Sequence, residues 1–157
     1  MSDFEPTDPA ADASPAAVLR GLRDSLVARL EELPETRLSK LTRRHGWTLR
    51  HELAWLAAAD AELSARLELA AGGAAGAAGG SIEEPRWRRL RGEAMHAAQE
   101  LRLHALRDHL AESGRAATAS VERRGPLLAT AAARAAIAAH DAAARRAAAI
   151  LDEALGN

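Results

Sequence analysis

Apolar residues recur every three or four positions through long segments of the chain, which is the pattern of amphipathic helices. The first predicted helix covers about residues 14–33, because Ser14 and Pro15 form an N-cap followed by proline at the first helical position and Pro34 stops the helix. The second begins after Thr48, a capping residue, and extends to about Ala71. Both segments are rich in Ala, Leu, Arg and Glu, which favour helices.

Two further helices follow a Gly/Ala-rich segment at 72–80, which we expect to be a flexible loop. A Ser81/Glu84 capping box predicts the third helix, which Gly114 would interrupt, with 115–124 as a short extension. Gly125-Pro126 predicts a fourth helix over 126–155. The sequence therefore predicts an all-α fold, an antiparallel four-helix bundle. Residues 14–157 would form one domain, preceded by a disordered acidic tail at 1–13.

Composition excludes several classes of site and partner. The chain has no cysteine, so it can form neither disulfides nor a thiolate metal site. Its net charge of -1 gives no general attraction to nucleic acid or anionic membranes. The N-terminus lacks the apolar core of a signal peptide, and charged residues interrupt every apolar run. We therefore expect a cytoplasmic protein with no nucleic-acid and no membrane partner. The usual motifs for phosphate binding, hydrolysis by a serine nucleophile and zinc proteolysis are absent from the sequence.

One polar residue interrupts the apolar seam of the second helix. The seam consists of Leu49, Leu53, Leu56, Asp60, Leu63 and Leu67. Trp55 lies roughly 120° around the helix from this seam and His51 lies further round, at about 100° per residue. Either Trp55 packs under a neighbouring segment and His51 is solvated, or this second face lines a cavity.

The seam of the fourth predicted helix contains a histidine. It consists of Ala133, Ile137, His140, Ala144, Ala147 and Leu151. A buried imidazole needs a partner. His140 is either a core histidine bonded to a carbonyl or to an acid such as Asp60, or a metal ligand or acid/base group facing a cavity.

Two other clusters of polar residues indicate solvated faces. His96, Glu100, His104 and Asp108 are spaced by four residues but begin opposite the apolar stripe of the third helix. The basic run RWRRLR at 86–91 includes Trp87, which belongs to that stripe. Neither pattern predicts a metal or nucleic-acid site.

The stretch GWTLRHELAWLAAADAEL, residues 46–63, resembles the opening of the second helix in the DinB-like superfamily. The resemblance is to the N-terminal bundle of mycothiol-dependent maleylpyruvate isomerases, where a GWT-V-R-D-L-L-A-H-L pattern carries a histidine that is one of three metal ligands. The matching positions here are Trp47, Thr48, Leu49, Arg50, Leu53 and Leu56. The segment around His140 is similar to the helix that supplies the other two ligands. The resemblance implies a four-helix bundle with a central metal site.

The metal ligands of the family are mostly replaced in this chain. Trp55 stands where the family has its histidine on the second helix. His140 matches a ligand position, but Ala136 and Ala144 stand at the positions that would supply its partner ligand. A catalytic zinc site needs three protein ligands, so we expect the metal to be lost. A displaced site built from His51, Glu52 and His140 is the alternative.

Three functions follow from these observations. The first is a small-molecule protein that binds or modifies a hydrophobic or electrophilic metabolite, with Trp55, His51 and Asp60 around the ligand and His140 as the general acid/base if it is catalytic. The second is an interaction module whose cavity Trp55 has filled. The third is a metal-dependent transferase or isomerase that uses mycothiol or another thiol. We expect no cofactor under the first hypothesis, with a divalent metal or mycothiol as the alternative, and we expect a homodimer.

Overall fold

The computed structural model describes residues 14–44, 46–72 and 85–156. This part of the chain forms five α-helices: α1 (Pro15–Leu30), α2 (Leu49–Ala71), α3 (Pro85–Gln99), α4 (Leu103–Arg123) and α5 (Ala131–Gly156). It contains no strand beyond an isolated bridge between Leu41 and Thr48. The all-α prediction is confirmed, whereas the prediction of four helices is wrong because a fifth is present. The predicted tail at 1–13, most of the Gly/Ala loop and the Ser81/Glu84 capping box lie outside the described residues.

The predicted starts of the first two helices are confirmed. The Ser14 side chain accepts a hydrogen bond from the amide of Ala17 at 3.2 Å, and Pro15 is the first residue of α1. Thr48 caps α2, where its hydroxyl accepts from the amide of His51 at 3.5 Å. A 3-10 turn, Glu35–Ser39, lies between the two helices. Local capping chemistry therefore determines where both helices begin.

The predicted third helix is in fact two helices, separated at residues 100–102. The guanidinium of Arg50, on α2, donates hydrogen bonds to the carbonyls of Gln99 and Leu101, which the end of α3 leaves free. The break therefore depends on a tertiary contact, since this segment has neither glycine nor proline. Gly114, where an interruption was predicted, lies inside α4.

The last helix also begins later than predicted. Gly125–Ala129 forms a 3-10 turn, and α5 begins at Ala131. Thr130 ends the turn, and its hydroxyl accepts a hydrogen bond from the amide of Ala133 at 3.2 Å. The N-cap of α5 is therefore Thr130, and not Gly125 as the sequence suggested.

The helices pack around two apolar clusters. α2 packs against α3, α4 and α5, and α1 packs against α4 and α5. The first cluster is centred on Leu26, Leu53 and Leu110, and the second on Leu19, Leu63 and Val121. α1 and α5 run from the second cluster to the first, whereas α2 and α4 run the opposite way. The two helices within each pair are therefore parallel to each other and antiparallel to the other pair.

None of the described helices combines the length and the apolar character needed to span a membrane.

Candidate functional site

A buried layer of polar residues lies between the two apolar clusters. Each of three helices contributes one charged or titratable side chain at this level, and each side chain is at most 5% exposed: Arg23 from α1, Asp60 from α2 and His140 from α5. Leu19 and Leu26 flank Arg23 in the two clusters. We call this set, with Ser113 of α4, the polar layer.

Asp60 is the centre of the polar layer. The two terminal nitrogens of Arg23 donate to its two carboxylate oxygens, each at 2.7 Å. Nε2 of His140 lies 2.7 Å from Oδ1 of Asp60. The hydroxyl of Ser113 donates to Oδ2 at 2.5 Å. The pairing of His140 with Asp60, one of the two interpretations drawn from the sequence, is confirmed.

Arg23 passes close to the backbone of α4 on its way to Asp60, because the residue of α4 at this level is a glycine. Its Nη1 also donates to the backbone carbonyl of Leu110 at 2.7 Å. A Cβ atom on Gly114 would lie 2.5 Å from Nη1 and 2.6 Å from Cγ of Arg23. Because such distances are far inside van der Waals contact, Gly114 provides the space through which the arginine passes.

The polar layer keeps Asp60 ionised. Burial by itself would raise the pKa of Asp60, since desolvation disfavours the charged form. The hydrogen bonds from His140 and Arg23, together with the positive charge beside the carboxylate, outweigh burial and hold the pKa of Asp60 below its ordinary value of 3.8. An ionised carboxylate can only accept hydrogen bonds. Nε2 of His140 therefore carries a proton and donates it to Asp60.

This tautomer leaves Nδ1 of His140 as the chemically available nitrogen. In a neutral imidazole with a proton on Nε2, Nδ1 carries a lone pair and accepts hydrogen bonds or protons. Within the described part of the chain, the His140 ring makes its hydrogen bond through Nε2 and makes none through Nδ1. A carboxylate that holds one ring nitrogen, and so fixes the tautomer and the orientation of the ring, is the arrangement found in acid/base and ligand-binding histidines.

His140 lines a groove of about 400 Å³ between α1 and α5, which we call the α1/α5 groove. The α1 side is apolar and is formed by Val18, Leu19 and Leu22, with Leu128 and Ile137 completing the apolar lining. The polar residues along the groove all come from α5: Arg134, His140, Asp141 and Arg145. The groove therefore combines an apolar wall with a few polar groups on one side.

A second groove, of about 540 Å³, reaches the other end of the polar layer. It lies between α1 and α4 and is lined by Arg23, Gly114 and Thr118, among other residues. Charged residues of opposite sign also line it, and Arg20 pairs with Glu122 there. The α1/α5 groove differs because its lining includes His140, whose ring has one nitrogen without a hydrogen-bond partner among the described residues.

His51 and Trp55 do not join Asp60 and His140. The two rings pack instead on Trp47, with ring centroids 5.9 Å and 5.8 Å from that of Trp47. Nδ1 of His51 accepts a hydrogen bond from the amide of Thr48 at 3.0 Å, which completes a capping box. Arg91 of α3 lies 5.1 Å from the Trp55 ring. Neither His51 nor Trp55 lines the α1/α5 groove.

Glu52 is buried in a different environment from His140. Its carboxylate accepts a hydrogen bond from Thr42 at 3.2 Å and lies 3.3 Å from the guanidinium of Arg44 and 3.6 Å from that of Arg146. These contacts hold the segment before α2 against α2 and α5. Glu52 is therefore a structural anchor whose oxygens are already engaged.

The side chains at the positions that match the metal ligands of the DinB-like superfamily do not form a metal site. His140 is the one donor among Trp55, Ala136, His140 and Ala144, and a guanidinium already lies beside its acidic partner. Two residues of the predicted displaced metal site have other partners: His51 caps α2, and Glu52 contacts two arginines. No three His, Asp or Glu residues are grouped for metal binding in 14–44, 46–72 or 85–156.

The four residues spaced along the predicted third helix are exposed. His96 lies on α3, Glu100 in the break, and His104 and Asp108 on α4. Trp87 is buried, with the guanidinium of Arg66 4.2 Å from its ring centroid. These positions agree with the interpretation of the row as a solvated face and of Trp87 as a packing residue.

Neither protein-family models nor curated proteins nor solved structures match this chain. The DinB-like resemblance therefore rests on the sequence pattern at 46–63 and around His140.

Sequence reasoning missed Arg23 and Ser113. The signal for Arg23 was present, because it stands four residues after Leu19 and three before Leu26, on one helical stripe. Arg23 interrupts the apolar seam of α1, just as Asp60 and His140 interrupt the seams of α2 and α5. Three such interruptions together indicate a buried charge cluster. Ser113 gave no such signal, because a serine beside a glycine is ordinary on a helix surface.

The pKa of Asp60 provides a direct test of the polar layer. We expect the side-chain carboxyl carbon of Asp60 to titrate below 3.8 when followed by NMR. A depressed pKa stabilises the fold above the unfolded-state pKa, and this contribution is lost as the pH falls through the folded-state pKa. Titration at or above 3.8 would show that burial outweighs the hydrogen bonds and would contradict the geometry.

Proposed function

We propose that this protein binds a small, largely apolar molecule in the α1/α5 groove, with His140 as the polar group that orients it. The observation that carries the proposal is a buried histidine that lines the groove, whose Nε2 is hydrogen-bonded to Asp60 and whose Nδ1 has no partner among the described residues. Small-molecule sites combine apolar walls with a few placed polar groups, and their volumes begin at about 300 Å³. The groove meets both criteria.

Ligand binding and an interaction module require different surroundings of His140 and Trp55. A cavity that reaches His140 favours ligand binding, whereas a filled cavity with Trp55 at a contact favours the module. The α1/α5 groove includes His140, and Trp55 packs on Trp47 on another side of α2. These positions support the ligand-binding proposal.

We further propose that the chain is a DinB-like protein in which the metal has been replaced. In this proposal α1, α2, α4 and α5 form the four-helix bundle, and α3 packs on the outside of α2. The packing of α1 and α2 against α4 and α5 supports it, as does the sequence pattern at 46–63. Arg23 supplies positive charge next to Asp60, which explains how a buried acid and histidine persist without a metal.

If the bound molecule reacts, His140 is the residue that transfers a proton. Nδ1 accepts the proton, and the Asp60 carboxylate stabilises the imidazolium that forms. Asp60 is then a positioning residue, because it contacts the ring and not the groove.

Binding can be tested with N-phenyl-1-naphthylamine, an uncharged dye that fluoresces in apolar sites. We expect saturable binding to the full-length protein. Ala138→Phe should weaken it at least about tenfold, equivalent to roughly 1.4 kcal/mol, because Ala138 is an exposed residue that lines the groove. The matched control is Ala142→Phe, which adds the same ring one turn along α5, outside the groove.

The control should bind the dye as the unchanged protein does. Near-UV circular dichroism of both variants verifies that their cores remain packed. Dye binding that is unsaturable, or that both variants weaken equally, would reject the α1/α5 groove as the site.

A further inference from the structure

We infer that the α1/α5 groove is specific for an apolar monocarboxylic acid, whose carboxylate lies against Arg134 and His140. This inference rests on the proposed function and adds the chemical class of the ligand. It follows from the distribution of charge along the groove and from the hydrogen bond that orients His140.

The charges of the groove are all on one side. α1 contributes apolar side chains such as Val18 and Leu22, whereas α5 contributes two arginines, one aspartate and His140. A ligand that satisfies both sides is amphipathic, with a hydrocarbon or aromatic body along α1 and a polar end toward α5. A fully polar ligand would leave the α1 wall without a partner.

One of the two arginines is available for a ligand. Nε of Arg145 donates to Asp141 at 2.8 Å, so these two charges offset each other. Arg134 is exposed and has no acidic partner among the described residues. Apart from His140, the groove therefore carries one unbalanced positive charge. A single guanidinium matches a planar carboxylate, to which it donates two parallel hydrogen bonds.

His140 favours the same ligand group. When the carboxylate binds, Nδ1 takes up a proton from solvent, and the ring then donates a charge-assisted hydrogen bond to a carboxylate oxygen. Asp60 stabilises the proton on the ring, because its carboxylate faces the opposite nitrogen at 2.7 Å. An ester, an alcohol or an amide is uncharged and therefore forms an ion pair with neither Arg134 nor the protonated ring.

A monoanion suits the groove better than a dianion. A phosphate monoester carries up to two negative charges and would meet one unbalanced cation and the carboxylate of Asp141. The apolar wall would also remain partly uncovered by a compact headgroup. The geometry therefore points to a carboxylate on an apolar body.

The test compares three ligands of one shape: octanoate, octanamide and 1-octanol. Each displaces N-phenyl-1-naphthylamine from the full-length protein, and its dissociation constant follows from the displacement curve. We expect octanoate to bind about tenfold more tightly than the other two, since a charge-assisted hydrogen bond contributes roughly that factor or more. Direct titration calorimetry with octanoate verifies the order.

Arg134→Gln should remove the preference for octanoate and leave octanol binding unchanged. The matched control is Arg89→Gln, which makes the same change of net charge at an exposed position of α3 outside the groove. His140→Gln provides a second variant, in which the ring nitrogen is lost and the preference should again fall.

The outcomes separate the two proposals. A preference for octanoate that Arg134→Gln abolishes and Arg89→Gln preserves supports the inference. Equal affinity for the three ligands, or an equal loss of all three in Arg134→Gln, overturns it and leaves the apolar groove in place. Absence of binding by the dye and by octanoate overturns both proposals.

Discussion

Asp60→Asn is expected to lower the free energy of unfolding by about 3 to 5 kcal/mol, the range for removing one partner of a buried ion pair. The amide has nearly the volume of the carboxylate, so the loss comes from charge and not from a cavity. Arg23 would remain 4% exposed without its counter-ion, and its acceptors would be neutral: the carbonyl of Leu110 and the single amide oxygen of the asparagine. The proton on Nε2 of His140 would also lose its anionic partner. Urea denaturation, followed by tryptophan fluorescence, measures the change.

A surface acid provides the control for this substitution. Asp152 pairs with Arg29, and its side chain is 61% exposed. Asp152→Asn should therefore change the free energy of unfolding by no more than about 1 kcal/mol, as is usual for exposed ion pairs. Equal effects of the two substitutions would mean that the polar layer does not carry a buried charge.

A double variant keeps the prediction testable if Asp60→Asn does not fold. Arg23→Met combined with Asp60→Asn removes the cation that would otherwise be unpaired. Replacing both members of a buried ion pair is much less destabilising than removing one. The double variant should therefore be more stable than Asp60→Asn alone. A double variant of lower stability would assign the loss to packing of the Arg23 stem and not to its charge.

The burial of the polar-layer residues could be predicted from the sequence, but their pairing could not. The seams of α2 and α5 indicated that Asp60 and His140 are buried, because apolar residues flank both at helical spacing. Their partnership remained one of two alternatives, since spacing within a helix says nothing about which neighbouring helix faces it. Arg23 interrupts the seam of α1 in the same way. Treating the three interruptions together would have predicted a charge cluster at one level of the fold.

The fold departs from the sequence prediction where tertiary contacts determine the helix ends. The α3–α4 break falls at residues of ordinary helical propensity and is stabilised by Arg50 from α2. At Gly114 the error is the reverse, because a helix break was predicted where the helix continues. A glycine inside a helix is tolerated where a neighbouring side chain must pass close to the backbone. The starts of α1 and α2 were predictable, since Ser14 and Thr48 act within their own helices.

Gly114→Ala is expected to lower the free energy of unfolding by about 2 kcal/mol, although alanine is the better helix former. The gain in helix propensity is about 1 kcal/mol. It is outweighed because the new Cβ would lie 2.6 Å from Cγ of Arg23, close to the backbone end of a side chain that cannot swing away. Its guanidinium is held by both oxygens of Asp60 and by the carbonyl of Leu110. Overpacking of this kind lowers stability by about 1 to 3 kcal/mol, and displacement of Arg23 would add the loss of its ion pair.

Gly92→Ala is the matched control, because Gly92 lies inside α3 and a Cβ there would meet nothing within 4 Å. It should raise the free energy of unfolding by about 0.5 to 1 kcal/mol, so that the same substitution has opposite signs in two helices. Two further measurements trace the loss at Gly114 to Arg23. In an Arg23→Ala background Gly114→Ala should no longer destabilise, since its steric partner is gone. In the single variant the pKa of Asp60 should rise, because displacing the guanidinium removes a hydrogen bond that lowers it. A destabilised Gly114→Ala protein whose Asp60 titrates unchanged would place the clash somewhere other than at the arginine.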